Sequence, residues 1–190
     1  MTWEDRSMPD TAVSNDPSKD TLSKWDRAHQ LHPWTAMDAW QENEYHPIQS
    51  AEGIYLWDSN GKRFLDGPGG MWCVQIGYGR KDMAEAIADQ VVRLPYTSPW
   101  TTTTDPSTLL AKKIADLAPG DLNNVFFTTG GSTAVDSALR TMHFMNNALG
   151  RPDKKIVIAR DKGYHGSTYL AATVSAKERD RSRFDTEKRL

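Results

Sequence analysis

Residues 123–149 read NNVFFTTGGSTAVDSALRTMHFMNNAL. A short apolar and aromatic segment, Val125, Phe126 and Phe127, leads through Thr128, Thr129, Gly130 and Gly131 into a stretch of helical periodicity, so strand, glycine turn and helix follow one another. A turn without Cβ atoms lets backbone N–H groups come close to a ligand, and the first turn of a helix adds donors without intrahelical partners and a partial positive charge. This is the layout of an anion site. Ser132 or Thr133 serves as N-cap, and Val135, Leu139 and Met142 recur at spacings of four and three on one face. The same pattern also describes a plain strand-turn-helix whose glycines serve geometry only, and the turn alone does not choose between the two.

The composition around this stretch is that of a globular chain. Its 190 residues, 38% hydrophobic and 25% charged, suffice for one sizeable core or two small ones. Lys and Arg total 23 against 25 Asp and Glu, a formal net charge of −2, so no global basic field favours nucleic acid or an anionic membrane. No apolar run approaches the length of a membrane span. The start MTWEDRSMPD carries acidic residues and a proline where a signal peptide has a basic start and an apolar stretch, which makes a cytoplasmic location the expectation. One cysteine, Cys73, leaves no internal disulfide and no Cys-rich metal site; no metal is expected.

Residues 1–20 are rich in Ser, Asp, Thr and Pro and are expected to form a mobile arm. TLSKWDRAHQ, residues 21–30, suits a short helix closed by His32-Pro33, after which LHPWTAM carries Trp34 in a loop, as a lid or as a core aromatic. GIYLWDSNGKRFLD, residues 53–66, reads as a β-hairpin around Asn60-Gly61, a pair suited to positive φ at both turn positions. The next stretch, DGPGGMWCVQIGYGR, is dense in glycine and aromatics, as an irregular loop approaching a ligand would be; Trp72 and Tyr78 equally suit plugs of a core.

A helix over residues 81–94 places Met83, Ile87, Val91 and Leu94 on one stripe. Asp105-Pro106 opens another, with Asp as N-cap, Leu110, Ile114 and Leu117 on the buried side and Pro119-Gly120 at its end. Beyond the central stretch, KKIVIAR at 154–160 gives a second short buried strand, so helices alternate with β-branched strands and an α/β layer with a largely parallel sheet is expected. Tyr164, His165 and Gly166 then fall at the carboxyl end of that strand, where open α/β sheets bind ligands; the other reading is a loop aromatic beside an exposed His.

In order along the chain, DG-x-GG-x-W-C-V-x-x-GYGR, LPY…TTTTDP, FFTTGGSTAVDSALR and GYHGST resemble the N-terminal part of the class III aminotransferases, the ω-amino acid or amine:pyruvate transaminases. The resemblance runs from about LHPWT to the KERDRSRFD tail. It implies an α/β fold of the fold-type I pyridoxal-phosphate class: small-domain elements followed by the first, incomplete part of the large domain's mixed sheet. The implied organisation is an arm at 1–20, helix, hairpin and glycine-rich active-site loop at 21–100, and the start of the cofactor-binding domain at 101–190. By the same resemblance, Gly131 and Ser132 stand at phosphate-cup positions, Tyr164 at the aromatic that stacks on the pyridine ring, and His165 beside it. Trp72 stands at a substrate-pocket aromatic, with Trp34 and Trp100 at further pocket positions, the last commonly donated across a dimer interface. Thr133 stands where members often carry Glu.

The implied reaction moves an amino group from an amine, diamine or ω-amino acid to pyruvate, in a homodimer. Taurine, β-alanine, putrescine and aryl amines all suit an aromatic-walled pocket. The resemblance also implies that the chain is under half of a family member and carries no catalytic residue, because the Schiff-base lysine, the Asp that pairs with the pyridine nitrogen and a carboxylate-binding Arg belong to later family motifs. Lys154, Lys155 and Lys162 sit in no matching lysine motif and read as solvated strand ends. The alternative class is an inactive fragment or interaction module that needs a second chain to complete its fold.

Overall fold

The computed structural model describes residues 17–42, 47–177, 182 and 184–187. Two compact units divide the chain, Met1–Ser98 and Pro99–Leu190. Residues 1–16 of the expected arm lie outside the described residues, as does most of the charged tail.

The first unit opens with α1 (Lys19–His29), which begins two residues before the expected Thr21 because Ser18 caps it: the Ser18 hydroxyl accepts from the Thr21 N–H at 3.2 Å. Asp20 in the first turn and Arg27 and His29 in the last complement the helix dipole. A short helix not anticipated from the sequence, α2 (Met37–Glu42), follows the Trp34 loop. Asp26 ties the two together, accepting from Trp40 Nε1 at 2.9 Å and lying 3.0 Å from His32 Nε2, whose ring rests 3.9 Å from that of Trp40.

A three-stranded antiparallel sheet, order β1-β2-β3, comes next, formed by β1 (Ile48–Glu52), β2 (Tyr55–Asp58) and β3 (Arg63–Leu65). The register pairs Ala51 with Leu56 and Leu56 with Phe64. The hairpin stands where expected, but its turn differs. Gly61 has φ +77° while Asn60 is not left-handed, because the Asp58 carboxylate accepts from the N–H groups of both Asn60 and Lys62 and braces a wider loop. The glycine-dense stretch forms α3 (Gly69–Trp72), a turn whose four residues all have positive φ, between 57° and 68° for Gly69, Gly70 and Trp72 and 54° for Met71. A regular helix, α4 (Lys81–Arg93), completes the unit.

In the second unit α5 (Asp105–Leu117) is capped by Thr104 rather than Asp105, which is already helical with Pro106 in the first turn. Then come α6 (Gly131–Ala148) and α7 (Tyr169–Val174), the latter unforeseen. The small core lies between α6 and α7: Leu139, Ala171 and Val174 are its buried apolar residues. Two expectations fail in a related way. The segments 125–128 and 154–160 carry no strand ladder among the described residues, and the apolar stripes of α4 and α5 are exposed. A strand exists only through a partner's hydrogen bonds, and a stripe is buried only when an element covers it. Lys155 does more than end a strand, because its ammonium bonds the His143 carbonyl at 3.3 Å and Asn147 Oδ1 at 2.6 Å near the carboxyl end of α6, where a cation is favoured. Lys154 and Lys162 are exposed.

Candidate functional site

The turn before α6 is held by its own oxygen atoms. The carbonyl of Gly130 accepts from Thr128 Oγ1 at 3.1 Å, Thr133 Oγ1 at 2.8 Å and the Ala134 N–H at 3.0 Å. Gly130 is therefore the N-cap, without a side-chain cap bond, and neither Ser132 nor Thr133 fills that role as expected. Thr133 folds back onto the turn, and Ser132 points to another segment. Because no side chain caps the helix, the first-turn amides keep their donor capacity. Over both Gly130 and Gly131 the space where a Cβ would stand is open to 4 Å.

Ser132 joins this turn to residues 164–168. Its hydroxyl accepts from the Ser167 N–H at 3.0 Å, and its carbonyl accepts from Thr168 Oγ1 at 3.2 Å. One helical turn on, Asp136 Oδ1 accepts from Thr168 Oγ1 and from the Ala171 N–H, both at 2.8 Å, which fixes the start of α7. Gly166, at φ +142°, makes the approach possible: a Cβ there would stand 2.7 Å from Ser132 Oγ and 2.8 Å from Ser132 Cα. The glycine turn and the Tyr-His-Gly turn are thus one assembly. Tyr164 is half exposed, with Lys177 Nζ 5.7 Å from its ring centroid. His165 is exposed; its backbone N–H donates to Ser175 Oγ at 2.8 Å. Asp136, Ser167 and Thr168 were not singled out from the sequence. The available signal was Asp136 standing four residues after Ser132, on the same helix face.

Of the pocket aromatics, Trp34 and Trp72 belong to the first unit and Trp100 to the second, and all three are exposed. Trp34 and Trp72 have φ of 60° and 68°. A left-handed conformation costs an L-residue about 1–2 kcal/mol, so Met71 and Trp72 together hold roughly 2–4 kcal/mol of backbone strain. Asp66 Oδ2 opposes it by accepting from the Gly70 N–H at 2.7 Å and from the Tyr78 hydroxyl at 2.6 Å. That hydrogen bond, then partial burial and the charge of Asp66, raise the Tyr78 phenol above its ordinary pKa. Among the described residues no group of His, Cys, Asp and Glu is placed to hold a metal ion, and no helix is long and apolar enough to cross a membrane.

An open pair of glycines, three first-turn amides and a serine hydroxyl fit a phosphate ester at a helix N-terminus. The family profile described as Aminotransferase class-III matches residues 36–187. The chain belongs to the class III aminotransferases. It is 40% identical over 180 residues to gamma-aminobutyrate transaminase 1, mitochondrial, of Oryza sativa subsp. indica, a match covering 92% of this chain and 34% of that protein. It is 44% identical over 149 residues to the putrescine--pyruvate aminotransferase of Pseudomonas aeruginosa, covering 78% of this chain and 33% of the relative. The structure resembles the omega transaminase of Pseudomonas jessenii in complex with PMP, with a TM-score of 0.84 and 34% identity over 87% of this chain and 37% of that one. The class III chain therefore spans about a third of the length of these relatives. Its fold is part of the fold-type I architecture, and its family works with pyridoxal phosphate.

Proposed function

We propose that this chain supplies the phosphate-holding and aromatic parts of an aminotransferase that moves an amino group from an amine, diamine or ω-amino acid to pyruvate, in a homodimer. What carries the reading is the start of α6, where Gly130 and Gly131 leave open space beside unpartnered first-turn amides. The amides of Gly131 and Ser132 and the Ser132 hydroxyl hold the phosphate, and the helix dipole offsets part of its charge. Tyr164 stacks on the cofactor ring, with His165 beside it. Trp34, Trp72 and Trp100 contact the organic part of the amine and exclude water from it. Bound pyridoxal phosphate supplies the electron sink. Pyruvate as acceptor draws support from the putrescine--pyruvate aminotransferase, and an ω-amino acid donor from the gamma-aminobutyrate transaminase.

On this reading none of the lysines in the chain is the covalent anchor, so the chain alone binds the cofactor reversibly and does not turn over. Phosphorus NMR of pyridoxal phosphate titrated with the chain tests the reading. Ser132→Ala lowers affinity by roughly tenfold, the effect of one charge-assisted hydrogen bond. Equal affinity of the variant and the unaltered chain overturns the phosphate assignment. Borohydride reduction followed by mass measurement tests the second part, and a lysine-linked adduct together with transamination refutes it.

A second reading is favoured by the bare apolar side chains around 125–128 and 154–160: the chain is an inactive portion whose fold is completed by a further polypeptide. Sedimentation of the chain alone separates the readings.

A further inference from the structure

The left-handed turn α3 is an expensive way to display a side chain, yet it ends in Trp72, 73% exposed. Its surroundings over-determine it. The Asp66 carboxylate holds the Gly70 N–H and the Tyr78 hydroxyl on one oxygen, Oδ2. Both partners are tied to the hairpin: the Asp66 N–H donates to the Ile54 carbonyl at 2.9 Å, and Tyr78 exchanges two backbone hydrogen bonds with Gly53, at 2.8 and 3.2 Å. A Cβ on Gly70 would stand 2.7 Å from Val74 Cγ2 and 3.2 Å from Tyr78 Oη, so the turn lies directly on the phenol. Gln75 Nε2 donates to the Trp72 carbonyl at 2.6 Å and closes the far side. Strain of this kind persists where the exposed residue has a task, and a rigid aromatic offers contact area at little entropic cost.

We infer that Asp66 and Tyr78 are positioning residues: together they hold Trp72 in the left-handed turn so that its indole meets the apolar or aromatic part of the amine donor. The inference deepens the proposed function and rests on it for the identity of the ligand. Neither side chain touches the reacting atoms. Asp66 acts through the Gly70 amide, and Tyr78 through Asp66 and the floor it gives the turn.

The test uses the full chain carrying 5-fluorotryptophan, with Trp72→Phe to assign one fluorine line among the seven tryptophans. In Asp66→Ala and Tyr78→Phe the Trp72 line moves toward its unfolded position. Benzylamine shifts that line in the unaltered chain, and both variants weaken the response by roughly fivefold. Asp66→Asn, which keeps an acceptor oxygen for both donors, restores most of it, and none of the three alters the phosphorus shift of pyridoxal phosphate. If Asp66→Ala does not fold by circular dichroism, Tyr78→Phe, which removes only a hydroxyl, carries the test. A Trp72 line unchanged in Tyr78→Phe overturns the inference. So does a line that ignores benzylamine in the unaltered chain. A responsive Trp72 line with no phosphorus shift supports the positioning role and refutes the cofactor assignment instead.

Discussion

Tyr78 shows how one hydrogen bond makes a strained turn sensitive to pH. Its phenol donates to Asp66, and that bond, ahead of partial burial and the neighbouring charge, raises its pKa. The folded state therefore holds this proton more tightly than the unfolded chain does, and the contribution is fully present below the ordinary phenol pKa. It is lost as pH climbs through the raised value, past about 10. Denaturation by urea between about pH 9 and 11 should show a decline that Tyr78→Phe lacks, since the variant has no phenol to ionise. Parallel curves for the two proteins would remove Tyr78 from the account. Asp82 runs the other way. Arg80 beside it, at 2.8 and 2.5 Å, lowers its pKa, so its contribution is lost as pH falls through that lowered value.

At the level of elements, α6 and α7 are joined by the side-chain oxygen atoms of Asp136 and Thr168 as well as by apolar contact. Asp136 satisfies Thr168 Oγ1 and the Ala171 N–H at once, so Asp136→Ala leaves the Ala171 N–H without its acceptor and Thr168 Oγ1 with only the Ser132 carbonyl, at a cost of about 1–3 kcal/mol. Amide exchange over 168–175 should accelerate in that variant while α4, in the other unit, keeps its rate; Asp136→Asn should lie between. Uniform acceleration would mean that Asp136 supports the whole chain rather than this joint. The same elements show what the sequence makes legible. The period of α6 was readable because eighteen residues repeat one face, whereas α7, six residues long, has no period to read. The pairing of Asp136 with Thr168 is a relation between segments thirty-two positions apart, and no local pattern encodes it. The left-handed turn escaped because Met71 and Trp72 have no local preference for positive φ; the bonds around the turn come from Asp66, Gln75 and Tyr78, and no local pattern announces them. The glycine turn before α6 was visible, but the N-cap is Gly130 rather than Ser132 or Thr133, since Thr133 bonds to the Gly130 carbonyl instead of capping.

Across the whole molecule, the main feature is apolar surface that the described residues leave uncovered. Ile158 is 96% exposed and Phe126 80% exposed, both in segments whose β-branched and aromatic composition suits buried strands. Sequence composition records what such a segment needs, a sheet on either side, whereas a ladder appears only with the partner strands. Uncovered edges of this type pair with other chains. Sedimentation of the chain alone should accordingly show association that grows with concentration, and replacement of Ile156 and Ile158 by Thr, which keeps β-propensity but removes apolar area, should reduce it. Amide exchange over 125–128 and 154–160 should be fast in the dilute chain and, if a further polypeptide completes the fold, slow once that polypeptide is added. A dilute, monodisperse monomer with slow exchange in both segments would show that they are already paired, and the reading that a further polypeptide completes this fold would fall with it.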